Sequence, residues 1–155
     1  YGNAIEFNGV NEFVEVSQNY NEITENLTIE AWIYPTKFGT GGEAKIIAQG
    51  YDQFGLKLFD SNAVFFVTTD ILGYKSTSVA LPGLDQWYHL AGVFDGDELR
   101  LYLDGSLVDN NDEPNNEVVK NIGSNFYVGA DGQYGRFYFE GKIDEVRISD
   151  YVRYT

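Results

Sequence analysis

Between residues 87 and 108 the chain reads WYHLAGVF, then Asp-Gly-Asp, then ELRLYL, then Asp-Gly, then SLV. Short runs rich in Val, Leu, Tyr and Phe, parted by Asp-Gly pairs, leave room for little except consecutive antiparallel strands. Asp-Gly readily supplies the positive φ values that a tight hairpin turn needs. The pattern extends in both directions. Leu27, Ile29, Ala31 and Ile33 alternate with Thr28, Glu30, Trp32 and Tyr34, the two-residue period of a strand with unlike faces, and Pro35 ends the run. Comparable runs occur at 4–7, 12–16, 44–49, 54–59, 63–69, 76–81, 99–103, 126–130 and 142–149. A helix has almost nowhere to start. The spacing therefore predicts an all-β fold of two antiparallel sheets, a sandwich or jelly roll.

The polar stretch DNNDEPNNE, residues 109–117, is expected to be a loop inside the domain, because strand patterns resume at Phe126. The 155 residues fit a single domain, 1–155, and the absence of any methionine, even at position 1, predicts a piece cut from a longer protein. No cysteine is present, which excludes disulfides, thiolate metal sites and a cysteine nucleophile. No apolar run approaches the roughly 18 residues that cross a bilayer. With 10 Lys and Arg against 24 Asp and Glu, the net charge of −14 repels nucleic acid and anionic membranes. The surplus carboxylates either solubilise the surface or hold calcium, which prefers hard oxygen ligands.

The ordered set AIEFNGVNEFVEV, LTIEAWIYP, WYHLAGVFDGDELRLYLDGSLV, FYVGA and FEGKIDEVRIS resembles the laminin-G-like, concanavalin A-like jelly-roll family over nearly the whole chain. The resemblance implies two stacked antiparallel sheets with the first and last strands as neighbours. It also implies extracellular or cell-surface recognition of glycans or matrix proteins, frequently with one bound calcium. Family members often carry aspartates in the first loop, where this chain has Asn8-Gly9-Val10-Asn11.

Three places could carry binding chemistry. In FEGKIDEVRIS, strict alternation puts Asp144 on one face with Val146 and Ile148, so a carboxylate shares the face of core residues. It must then accept backbone hydrogen bonds, meet a basic side chain or hold a cation, and the first and last strands that the resemblance makes neighbours would offer calcium Asn8, Gly9, Asn11 and Asp144. In a meander alternate turns share one rim. That rim would gather the turns near Asp52, at 70–74 and at 95–97 with the 109–117 loop, presenting Tyr51, Asp52, Gln53, Phe54 and Tyr74. It is either a solvated loop edge or a glycan site where rings pack on sugar faces and polar groups bind hydroxyls. The glycine-rich loop ADGQYGRFYF offers Tyr134, Arg136 and Phe137 as a further candidate.

Catalysis finds little to work with. His89 is the only histidine and lies inside a strand run, and Asp144 and Glu145 are adjacent and so point apart. The leading expectation is a non-catalytic carbohydrate-binding module, with polysaccharide or glycan as partner. The alternative is an adhesion module that binds a matrix or cell-surface protein.

Overall fold

The computed structural model describes residues 3–17, 23, 25–39, 42–50, 52–112, 116–120 and 123–155. In chain order its strands are β1 (Ile5–Asn8), β2 (Val14–Val16), β3 (Leu27–Pro35), β4 (Glu43–Gln49), β5 (Phe54–Phe59), β6 (Asn62–Thr69), β7 (Gly73–Ala80), β8 (Tyr88–Phe94), β9 (Glu98–Leu103), β10 (Ser106–Asp112), β11 (Phe126–Val128) and β12 (Glu140–Ser149). They form two antiparallel six-stranded sheets, β1-β12-β3-β8-β9-β10 and β2-β11-β4-β5-β6-β7. This is the expected jelly roll, and the first and last strands pair through Ile5 with Ile143 and Asn8 with Glu140. Among the described residues there is no helix, hence none long and apolar enough to cross a membrane.

Alternation drives the packing. Leu27, Ile29, Ala31 and Ile33 of β3 face Ile46, Leu56, Phe65 and their neighbours on the other sheet, all essentially without solvent contact. Phe65 projects from β6 toward β8 at Gly92, where a Cβ would stand 2.2 Å from the Phe65 ring. Only glycine leaves the recess that this ring occupies.

Two expectations are corrected. The first concerns 109–117: residues up to Asp112 belong to β10, which pairs with β9 and is bulged between Leu107 and Asp109. β10 is an edge strand with one sheet neighbour, so it needs backbone pairing more than apolar side chains and its sequence reads as a loop. The second concerns β12, which is bulged between Asp144 and Arg147, with Glu145 at φ 47°. The extra residue shifts the phase, so Ile143 packs into the core and Ile148 packs against it, while Asp144 turns to the outer face opposite Trp32.

The outer face of the first sheet is half covered. Past β12 the chain returns across β3, where Thr28 donates its hydroxyl to Tyr151 O at 2.8 Å and accepts from Arg153 N at 3.1 Å. Val152 and Tyr154 pack on Ala91, Val93 and Tyr102. Glu30 is buried beneath this segment, accepting from the Tyr154 hydroxyl and ion-paired with Arg147 at 3.1 Å and Arg153 at 3.4 Å. His89 Nε2 stands 3.5 Å from the same carboxylate.

Candidate functional site

The turns at 52–53, 70–72 and 95–97 do share one rim, laced together by residues 116–120. Asp70 N donates to Val118 O, Lys120 N to Thr68 O, Glu117 N to Gly96 O, and Asn116 N to the Asp97 carboxylate. Gln53 O accepts from Thr68 N in the same set. Tyr51 lies outside the described residues.

Below this rim the outer face of the second sheet is built around Lys45. The bulge of β4 after Lys45 keeps Ile46 and Ile47 both in the core and leaves Lys45 on the outer side. Its side chain has no solvent contact, and its Nζ lies 2.8 Å from Glu43 and 3.1 Å from Asp52. The ammonium also stands 4.4 Å from the centre of the Phe66 ring, a desolvated cation–π geometry. Lys57, across from Lys45 in β5, bonds the same Glu43 oxygen at 3.1 Å. It lies 5.0 Å from Phe66, 5.4 Å from Tyr74 and 6.0 Å from Phe59. Tyr74 stacks on Phe66 with ring centres 5.8 Å apart and planes at 17°. Phe59 and Tyr74 remain 47% and 45% exposed.

The glycine-rich loop is tied to the backbone of β4, where Lys45 N donates to Phe137 O at 2.9 Å. Arg136 is paired with the buried Asp131 at 3.1 Å and lies 5.0 Å from the Tyr134 ring and 4.8 Å from the Phe137 ring. Tyr134 is 59% exposed. Of the residues read from the sequence, Asp52 and Tyr74 thus join the lysine cluster, while Tyr134, Arg136 and Phe137 form a separate group of their own with Asp131. Phe54 belongs to neither: as the first residue of β5 it is wholly buried, with its ring 5.4 Å from Phe126. Gln53 is likewise buried under the turn and offers no surface. Lys45, Lys57, Glu43, Phe59 and Phe66 were not foreseen. Their signal is a lysine in the middle of each of the apolar strands EAKIIAQ and FGLKLF, in a chain with few basic residues.

The ionic core is held charged. Burial opposes ionisation of Glu43, but the hydrogen bond and charge of Lys45, together with Lys57, outweigh it and keep the carboxyl below its usual range. Burial likewise opposes the Lys57 ammonium, yet Tyr74 and Glu43 hold its pKa above the ordinary lysine value. The face thus presents aromatic rings over fixed, mutually neutralised charges.

Of the four calcium candidates, Asn8, Gly9 and Asn11 share one turn and Asp144 lies apart from them. Antiparallel register places Glu140 beside Asn8 and carries Asp144 past the opposite end of β1. Asn8 Oδ1 already accepts from Val10 N and Asn11 N, and Asn11 Oδ1 accepts from Asn8 Nδ2, so both amide oxygens serve to close the turn. Gly9, at φ 71°, lies against Glu140, where a Cβ would stand 2.8 Å from that side chain's Cβ. Among the described residues no group of three or more His, Cys, Asp or Glu could hold a metal ion. Asp144 accepts a local bond from Glu145 N at 2.8 Å. Asp144→Ala should accordingly shift stability by no more than about 0.5 kcal/mol, equally in millimolar calcium and in chelator, as followed by thermal melting.

Two antiparallel sheets closed by neighbouring first and last strands define a lectin-type jelly roll. Residues 8–154 match the family model Laminin_G_3, described as the concanavalin A-like lectin/glucanases superfamily, and the chain belongs to that family. No curated protein sequence matches it. Among solved structures it is similar to domains LG4-5 of the mouse laminin alpha1 chain, with TM-score 0.72 and 16% identity over 94% of this chain and 40% of that one. A candidate carbohydrate binding protein from Bacteroides ovatus aligns with TM-score 0.74 and 18% identity over 97% of this chain and 44% of that one. The binding domain of botulinum neurotoxin DC, solved in complex with SialylT, gives TM-score 0.64 and 14% identity over 90% and 36%. The chain thus spans less than half the length of each of these three, and the likeness is one of fold.

Proposed function

We propose that this domain is a non-catalytic carbohydrate-binding module that works outside the cell, and that the Lys45 face of the second sheet holds the sugar. The observation that carries this reading is the exposure of Phe59 and Tyr74 beside the buried Lys45 and its partners Glu43 and Asp52. Aromatic rings kept partly bare over a rigid ionic floor suit the apolar face of a pyranose, while Asp52 supplies a carboxylate for its hydroxyls. The ligand named for one structural relative and the carbohydrate-binding description of another support the same class of ligand. Binding without turnover fits the only histidine being committed to Glu30. The net charge of −14 favours neutral polysaccharides over acidic ones.

Affinity electrophoresis against soluble β-1,3-glucan, galactomannan, arabinoxylan and hyaluronate tests this directly. Retardation by at least one neutral polymer is expected, with Tyr74→Ala losing more than about 1 kcal/mol, since a central stacking ring carries more energy than its rim. Release of reducing sugar would overturn the non-catalytic reading. Failure to bind any polymer, with saturable binding to a matrix protein, would replace it by the adhesion alternative.

A further inference from the structure

We infer that the opposite side of the sandwich carries a second site for neutral polysaccharide, built on Trp32, Tyr34, Trp87 and His89. This inference shares a ligand class with the proposed function and none of its residues. The pairing of β3 with β8 sets Trp32 opposite His89, and Tyr34 beside Trp87, which directly precedes the Tyr88 partner of Ile33. The ring centres lie 5.2 Å apart in the first pair and 5.6 Å in the second, with planes at 51° and 61°. All four side chains project from the outer face of the first sheet; the C-terminal segment borders the square at His89, whose ring meets Tyr154 edge to face at 6.5 Å and whose Nε2 is turned to Glu30, so the open rings are Trp32, Tyr34 and Trp87. The chain has two tryptophans, both in this square, and they are 38% and 42% exposed. Rings of this size are normally drawn much further into a protein interior.

The surroundings choose the occupant. Lys142 and Asp144 flank the square through β12, with the Lys142 ammonium 5.9 Å from the Tyr34 ring, and Asp104 borders it beside His89. Aromatic faces ringed by an ammonium and carboxylates match a pyranose, whose C–H face stacks and whose hydroxyls donate and accept. The square is two strands wide and three residues long, about 5 Å by 7 Å. That is far below the roughly 800 Å² per partner of a stable protein interface. A second copy of the chain would bring another −14 charges to the contact.

Tryptophan emission reports this face alone, because the Lys45 face contains no tryptophan. Titration with the same neutral polysaccharides should blue-shift the emission and protect it from acrylamide quenching. The Phe59→Ala/Tyr74→Ala variant should keep that response, and Trp87→Ala, read through Trp32, should weaken it about tenfold while circular dichroism stays unchanged. Saturable retardation of the wild type with unaltered emission and quenching would overturn the second site and leave the first standing. Retention of full electrophoretic affinity by Phe59→Ala/Tyr74→Ala, alongside the tryptophan response, would support the second site and remove the first. Protection that grows with protein concentration and needs no polysaccharide would overturn the inference in favour of self-association, and silence in both readouts would overturn both sites.

Discussion

Phe65→Ala should cost about 3–5 kcal/mol of folding free energy, a large share of the 5–15 kcal/mol that holds a domain of this size together. The ring is fully buried and fills the recess over Gly92 that joins the two sheets at mid-strand. Gly92→Ala attacks the same contact from the other side. Its Cβ would stand 2.2 Å from the ring, and overpacking of that kind costs about 1–3 kcal/mol. The double variant should be less damaging than the sum of the two, because truncating Phe65 vacates the space that the new methyl group needs, and the coupling should exceed about 0.5 kcal/mol. Urea midpoints for the four proteins check this, and strict additivity would mean that the ring is not held by the recess.

Lys45→Ala should be comparably severe. Removing one partner of a buried ion pair leaves the other uncompensated and typically costs about 3–5 kcal/mol. Glu43 would keep Lys57, but Asp52 would lose the lysine that ties the rim to the sheet. Lys45→Met preserves most of the stem's packing, so the difference between the two variants separates charge from volume. The pH dependence follows from the same cluster. Glu43 has its pKa lowered on folding, so its contribution is complete above the unfolded carboxyl pKa and is lost as pH falls through the folded value. Lys57 has its pKa raised, so its contribution is complete below the unfolded lysine pKa and is lost as pH rises through the folded value. Glu43→Gln should therefore flatten the acid limb of stability against pH, and Lys57→Met the alkaline limb. Unchanged limbs would show that the two charges are not coupled to folding.

The strands were largely legible because each carries a two-residue period locally, with β5 bounded at 54–59 as expected and β3 alternating as it reads. What alternation cannot convey is a phase shift. The bulges after Lys45 and Asp144 each leave two core residues an odd or adjacent step apart, so Lys45 looks like an interruption and Asp144 looks inward. Register is a second quantity that neighbourhood alone does not contain. That β1 and β12 pair was foreseen, but a shift of four residues decides whether Asp144 or Glu140 meets Asn8. Phe54 shows the same problem, since the run 54–59 has the right bounds yet does not say which face its first residue takes, and that residue turns wholly into the core. β10 was hidden because pairing at an edge rests on backbone groups that every residue carries.

The segment after Ser149 contributes no strand, yet it seals part of the first sheet. Thr28, Glu30, Ala91, Val93 and Tyr102 owe their burial to Tyr151–Tyr154, so a fragment trimmed to its last strand would bare a carboxylate and an apolar stripe together. Cutting or joining the chain directly after β12 would therefore break that seal.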